Sequence, residues 1–336
     1  MARKRILTGI RPTGPLHLGH YIGALENWLR LQKEYECFFL IADYQALGDH
    51  IDEIDRIRES VVQVAIDWLA VGLDPKENAF VIQSYVPEHA ELTMLLSMVT
   101  PLSWLQRNPT LKAEMERLEQ EGQSNVSVGF FNYPVSQVAD ILLPKAHLVP
   151  VGDDQLPHIE MTREIARKFN RTYGDIFPEP EALVGRVPRL VGTDGKAKMS
   201  KSIGNAIYLG ESAEAVTKRV RAMYTDPTRL RATDPGHVEG NPVFMYHDAF
   251  NPNKAEVQDL KERYVLGKVG DVEVKLKLAK ALNDFLDPIR EKRHFYEQHI
   301  DDVKGALLDG TRRAKKVAEG TMDEVRRAMR IVYTEG

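Results

Sequence analysis

The chain has one cysteine, Cys37, in 336 residues, which excludes an internal disulfide framework and is compatible with the cytosol. It has no apolar run long enough to cross a bilayer. After the basic Met1-Ala2-Arg3-Lys4-Arg5 only a short strand-like run follows, so no secretory leader is expected and the expected location is cytoplasmic, away from membranes. Charge of either sign is not in excess: a net −4 gives no general attraction to nucleic acid, and any RNA contact must come from local basic patches. Internal repeats and low-complexity segments are absent as well.

What is present is an ordinary globular composition, 43% hydrophobic and 28% charged, in a chain long enough for one large or two medium domains. Its most informative stretch runs from Ile6 to His20. It opens apolar, as a buried parallel strand does, breaks at Gly9, Pro12, Gly14 and Pro15, and enters a helix pattern from Tyr21 to Leu29. A strand, a glycine turn and a helix start form an anion site, because free backbone N–H groups point at the ligand. The turn is neither GxGxxG nor a GK[ST] P-loop; it carries His17 and His20 around Gly19 instead. Two histidines at i, i+3 suit half a metal site, but with a single cysteine in the chain a third zinc ligand is hard to find, and no metal site is assigned. Phosphate is the preferred ligand, since imidazole donates to phosphate oxygens and Gly19 admits a nucleotide close to the backbone. A solvated helix start is the plainer alternative.

Strand candidates alternate with amphipathic helices through the first half. The strands are the opening run, Cys37 to Ala42, Ala79 to Ile82 and Leu148 to Val151. The helices run from Glu53 to Val71 (stopped by Gly72 and Pro75), Pro87 to Met98, Leu111 to Glu121 (closed by Gly122), Pro134 to Leu143 and about Asp154 to Phe169. This alternation predicts βαβ units in a doubly wound parallel sheet, with ligands at the carboxyl ends of the strands. From about Glu211 charged helices take over; the longest is Asp271 to Gln298, with a kink expected at Pro288. Arg312-Arg313-Ala314-Lys315-Lys316 and Arg326-Arg327 read as solvated helix faces or as phosphate-backbone contacts.

Two further constellations carry chemistry. Gly195 to Gly204, containing Lys196, Lys198, Met199, Ser200, Lys201 and Ser202, is a glycine-flanked basic loop where the α/β pattern gives way to helices. Such a loop is a plain surface feature alone, but with the first stretch it suits closure over a triphosphate. Tyr133, Gln137 and Asp140 fall at i, i+4 and i+7 on one helix face. An aromatic wall, an amide and a carboxylate suit a flat ligand with one N–H or O–H donor; a core tyrosine, a solvent-facing amide and a salt-bridged aspartate are the alternative.

On these motifs the chain resembles the class I aminoacyl-tRNA synthetases, and among them the tryptophanyl enzymes of bacterial type. Pro12-x-x-Pro15-x-His17-Leu18-Gly19-His20 corresponds to the "HIGH" motif and Lys198-Met199-Ser200-Lys201-Ser202 to "KMSKS". Tyr133-Pro134-x-x-Gln137-x-x-Asp140-Ile141-Leu142-Leu143 and Gly152-Asp153-Asp154-Gln155-x-x-His158-Ile159-Glu160 match as well. The resemblance implies a Rossmann catalytic domain over 1–192, then the lysine loop and a helical region for anticodon recognition over 193–336, whose last helices can pack back on the first. It implies Mg-ATP as a substrate complex without a tightly bound cofactor. His17, His20, Lys198, Lys201 and Thr13 would act in catalysis. Arg11, Pro12, Thr13, Gly19, His20, Gly152, Asp153, Asp154, Leu190, Lys198, Met199, Ser200, Lys201 and Ser202 would hold ATP. Leu7, Tyr133, Gln137, Asp140 and Gln155 would hold tryptophan, with Asp140 accepting the indole N–H. The implied partners are tRNA(Trp) and a second copy in a homodimer, with an additional protein partner open. Departures stand at Gln137 (Met in many bacterial members), Arg11 (Gln) and Gln45 (His). Because the archaeal tyrosyl enzymes share Tyr-x-x-x-Gln-x-x-Asp, tyrosine remains the competing substrate. A nucleotidylyltransferase and a non-enzymatic binding paralogue are the competing classes.

Overall fold

The computed structural model describes residues 3–333 apart from 49, 121, 123–125, 153–154, 185–189, 197–198, 202, 230 and 232. Strands β1 (Arg5–Ile10), β2 (Glu36–Ile41), β3 (Ala79–Ile82), β4 (Leu148–Val151) and β5 (Glu181–Val184) form one parallel sheet in the order β3-β2-β1-β4-β5. Leu7 lies beside Phe38, Phe38 beside Ala79, and Ile6 beside Leu148. The strand order reverses between β1 and β4, and the crevice beyond their carboxyl ends is where such sheets bind ligands. The chain is an α/β Rossmann-type doubly wound sheet followed by a helical C-terminal region.

The strands read as nearly unbroken apolar runs because both sheet faces are covered. Successive residues alternate between two cores. Ile6, Phe39, Ile41 and Phe80 join Trp28 and Trp68 on one face. Leu7, Phe38, Leu40 and Val81 join Leu92, Val135, Ile141 and Ile165 on the other. β5 lacked this signal: its four residues are half-buried or exposed at the sheet edge, so no apolar run marks it.

Most predicted helices form within a residue or two of their expected bounds. Ile54–Val71 stops at Gly72, which takes the left-handed conformation a helix C-terminus favours. Pro109–Gln120 begins earlier than the expected Leu111, because Asn108 Oδ1 accepts from Thr110 and Leu111 N–H and Pro109 suits a first turn. Its expected last residue, Glu121, lies outside the described residues. Leu156–Tyr173 runs past the expected Phe169 to Gly174, and its expected start, Asp154, is likewise outside. Pro288 does not interrupt Asp271–Gln298, where buried Leu286 and Ile289 hold both sides of it in the core. Ala213–Arg221, Pro242–Phe250, Lys254–Val265, Asp271–Gln298 and Ile300–Ala328 make up the helical region.

The last helix returns to the sheet and closes its β3 edge. Ile82 N–H donates to Thr311 Oγ1 at 3.0 Å, and the Thr311 hydroxyl lies 3.4 Å from Phe80 O, so one side chain serves two ladder groups of an edge strand. Arg313 donates to the carbonyls of Pro75 and Asn78, and Arg326 pairs with Glu91. These two arginines of the basic clusters are therefore docking groups.

Candidate active site

The site grows from the carboxyl end of β1. Thr13 N–H donates to Arg11 O at 2.9 Å, and Gly14 sits at φ +118°, where an L side chain would be strained. The helix that follows is built in three pieces: Leu18–His20 as α-helix, Tyr21–Leu25 as π-helix and Glu26–Leu31 as α-helix. A π segment at a helix start is a frequent companion of function, and 3.6-residue periodicity could not reveal it. His17 N–H donates to His20 Nδ1 at 3.2 Å, and the two rings lie 3.8 Å apart. Nδ1 of His20 is thus an acceptor, which leaves Nε2 as the protonated donor of the neutral ring. A Cβ at Gly19 would fall 2.9 Å from the His17 ring, so only glycine fits there without moving the imidazole.

The distant lysine loop docks directly on this segment. Gly19 N–H donates to Met199 Sδ at 3.3 Å across 180 positions of sequence. Lys201 Nζ donates to Gly14 O at 2.7 Å. Just beyond the loop, Ile207 O accepts from Leu18 N–H at 2.9 Å, and Leu209 N–H donates to Leu16 O at 3.0 Å. Asn205 braces the loop from within, accepting from Ser200 N–H at 2.8 Å and donating to Asp194 at 3.1 Å. Burial and the nearby Arg56 guanidinium bring the Lys201 ammonium down to about 8. It is charged at neutral pH, loses its charge as pH rises through that value, and an arriving anion would restore it.

A second cluster lies at the carboxyl ends of β2 and β3. Asp140, on Tyr133–Leu142, is buried. Its carboxylate accepts from Gln45 Nε2 at 2.5 Å and Gln83 Nε2 at 2.7 Å, and His89 Nδ1 lies 2.8 Å from Oδ1. Gln83 also accepts from Tyr44 N–H at 3.1 Å, and Asp43 accepts from Ser84 N–H at 2.9 Å. The two strand ends therefore orient the carboxylate jointly.

Both clusters open into one cavity of about 1480 Å³. Of the sequence-predicted residues, Leu7, Arg11, Thr13, His17, Gly19, His20, Gln137, Asp140, Gly152, Gln155, Leu190, Met199, Ser200 and Lys201 line it. Pro12 and Tyr133 do not; the Tyr133 hydroxyl lies 3.4 Å from His158 Nε2, and its ring packs edge-on against Phe130. Asp153, Asp154, Lys198 and Ser202 lie outside the described residues. Sequence reasoning overlooked Gln83, His89 and Arg56, and noted Gln45 only as a departure. Gln83 opens the short 3-10 turn after β3 and Gln45 sits in a one-turn helix, so nothing periodic announced them; Arg56 read as one charge among many on an amphipathic helix.

A buried ion pair braces the start of the histidine turn from outside the cavity. Asp67, on Ile54–Val71, accepts from Leu16 N–H at 3.0 Å and pairs with Arg293 of Asp271–Gln298. Burial raises the Asp67 carboxyl to about 6 against the pull of Arg293 and the Leu16 N–H, so it is ionised at neutral pH. Among the described residues no group of three His, Cys, Asp or Glu could hold a metal ion, and no helix is long and apolar enough to cross a membrane.

The model of the class I tRNA synthetases (W and Y) matches residues 2–287. The tryptophan–tRNA ligase of Treponema pallidum is 50% identical over 327 residues, covering 97% of this chain and 96% of that one. The tryptophan–tRNA ligase of Clostridium longisporum is 48% identical over 338 residues, covering 99% and 98%. The crystal structure of tryptophanyl-tRNA synthetase from Campylobacter jejuni complexed with ADP and tryptophan superposes with a TM-score of 0.85 at 34% identity, over 97% of this chain and 99% of that one.

Proposed function

This chain belongs to the class I tRNA synthetases of the tryptophan and tyrosine group, and we propose that it is a tryptophan–tRNA ligase working in two steps at the cleft described above. In the first, the tryptophan carboxylate attacks the α-phosphorus of Mg-ATP. A new O–P bond forms, the bond to the β-phosphate oxygen breaks, and pyrophosphate leaves. In the second, the 2′-hydroxyl of the tRNA terminal adenosine attacks the carbonyl of the aminoacyl-adenylate, and AMP leaves. No covalent enzyme intermediate is required; the protein positions the reactants and stabilises charge.

The observation that carries this reading is the docking of the lysine loop on the histidine turn, with Lys201 on Gly14 and Met199 on Gly19, beside a buried carboxylate in the same cavity. His17, His20, Thr13, Lys198 and Lys201 act on the phosphates. Arg11, Gly19, Gly152, Leu190, Met199 and Ser200, which line the cavity, lie along the nucleotide, and the motifs alone assign Asp153, Asp154 and Ser202 to the same ligand. Leu7, Gln137, Asp140 and Gln155 hold the amino acid, with Asp140 accepting the indole N–H; Tyr133, outside the cavity lining, supports them through its contact with His158. Residues 1–192 serve as the catalytic domain and 193–336 as the loop and anticodon-reading region. The molecule works as a cytoplasmic homodimer on tRNA(Trp), with room for a further protein partner.

Amino-acid-dependent exchange of pyrophosphate into ATP tests this with all twenty amino acids. Tryptophan should support exchange far above the others. A preference for tyrosine would transfer the assignment to the tyrosyl enzymes, and silence with every amino acid would favour a binding paralogue.

A further inference from the structure

We infer that Arg56 is an additional polyphosphate ligand of the nucleotide cleft, holding from a helix the same phosphates that Lys201 holds from the loop; the inference rests on the ligase reading. Arg56 lines the cavity together with Thr13, His17, His20 and Lys201. Its guanidinium donates to Thr13 O at 2.9 Å, while Lys201 Nζ donates to Gly14 O at 2.7 Å. Two cations thus sit on consecutive carbonyls of one turn. A Cβ built on Gly14 would have Lys201 Nζ at 3.7 Å and a guanidinium nitrogen of Arg56 at 3.8 Å.

Like charges brought so close repel, and this repulsion is one of the forces depressing the Lys201 ammonium. A ligand with several anionic oxygens relieves it, because each cation exchanges a neutral carbonyl for a phosphate. The surrounding charges leave that role open. The carboxylates lining the cavity among the described residues are Glu53 and Asp140, against Arg11, Arg56, Lys201 and the imidazoles of His17, His20 and His50. Asp140 is committed to Gln45 and Gln83. Asp67, which also acts on Lys201, is committed to Arg293 and Leu16. Glu53 pairs with Arg56, but both side chains are more than two-fifths exposed, so the pair is weak and exchangeable. The planar fork of arginine, carried on Ile54–Val71, suits bidentate phosphate binding.

The test is pyrophosphate exchange by the full chain carrying Arg56→Gln or Arg56→Lys. Arg56→Gln should lower kcat/KM for ATP by about 10- to 100-fold and leave the KM for tryptophan near its starting value. In the wild type, kcat/KM for ATP should fall as pH rises above about 8, where Lys201 loses its charge. In Arg56→Gln that fall should move to higher pH, because Lys201 has lost its like-charged neighbour; in Arg56→Lys it should stay in place with part of the activity recovered. The shift in pH reports the proximity of the two cations, and the loss in kcat/KM for ATP reports contact with phosphate. Wild-type ATP kinetics in folded Arg56→Gln, whatever its alkaline fall, would overturn the inference. Calorimetric titration with inorganic pyrophosphate judges Arg56 without catalysis: weaker binding by Arg56→Gln supports it, and equal binding overturns it. Absence of exchange in the wild type would instead count against the ligase reading.

Discussion

At the scale of single residues, Asp140 is a carboxylate whose surroundings define what it accepts. Gln83 and Gln45 donate to its two oxygens and His89 stands against Oδ1, so part of its acceptor capacity is already used. A lone pair left over by the two amides can accept one ligand N–H. Replacing Asp140 with alanine should weaken tryptophan activation by about 1–3 kcal/mol, because the buried indole donor is left unpaired. The ATP KM should change little. Steady-state exchange kinetics with tryptophan varied would check this, and unaltered tryptophan kinetics would remove Asp140 from the pocket. Gly19 shows the opposite kind of residue, one valued for what it leaves empty: its missing Cβ is what lets the His17 ring and the Met199 sulfur share its flank.

At the scale of elements, the helix Ile300–Ala328 does for the sheet what a sixth strand would do. The outward-facing Phe80 carbonyl and Ile82 N–H of β3 meet the Thr311 hydroxyl. Without it they would form an open edge inside the protein, where unpaired polar groups are costly. Thr311→Val keeps the shape and removes the hydroxyl, so it should destabilise the fold by about 1–3 kcal/mol, the cost of buried backbone groups without a partner. The urea midpoint should drop with an unchanged m-value. A midpoint equal to that of the wild type would mean that water takes over the edge.

At the scale of the whole molecule, one ion pair joins the helical region to the histidine turn. Asp67 holds Leu16 N–H with one oxygen and Arg293 with the other, and Arg293 also reaches Gln63 and Glu297. Arg293→Ala leaves a fully buried carboxylate without its cation, which should cost about 3–5 kcal/mol. Because that carboxylate positions the residue before His17, exchange activity should fall even under conditions where the variant remains folded. Thermal unfolding and exchange on the same preparation check both. Full activity in a destabilised Arg293→Ala would restrict the pair to a structural role.

Where each feature became visible follows from the range of the force behind it. Periodicity and turn chemistry act over a few residues, so β1 to β4, the helix stop at Gly72 and the long Asp271–Gln298 helix could be read along the chain. The motif residues His17, His20, Asp140 and Lys201 could be named there too, because their spacing with glycine and proline is local. Edge strand β5, the π segment at Tyr21–Leu25, Thr311 on β3, Gln83 and His89 around Asp140, and Arg56 beside Lys201 were hidden. Each depends on a contact between residues distant in sequence, or on hydrogen-bond geometry that no residue type announces. The chain order alone therefore specified which chemical groups the protein carries and which local elements bear them. Only folding decided which of those groups share a cavity, because burial, charge repulsion and hydrogen bonding across the sheet act between neighbours in space.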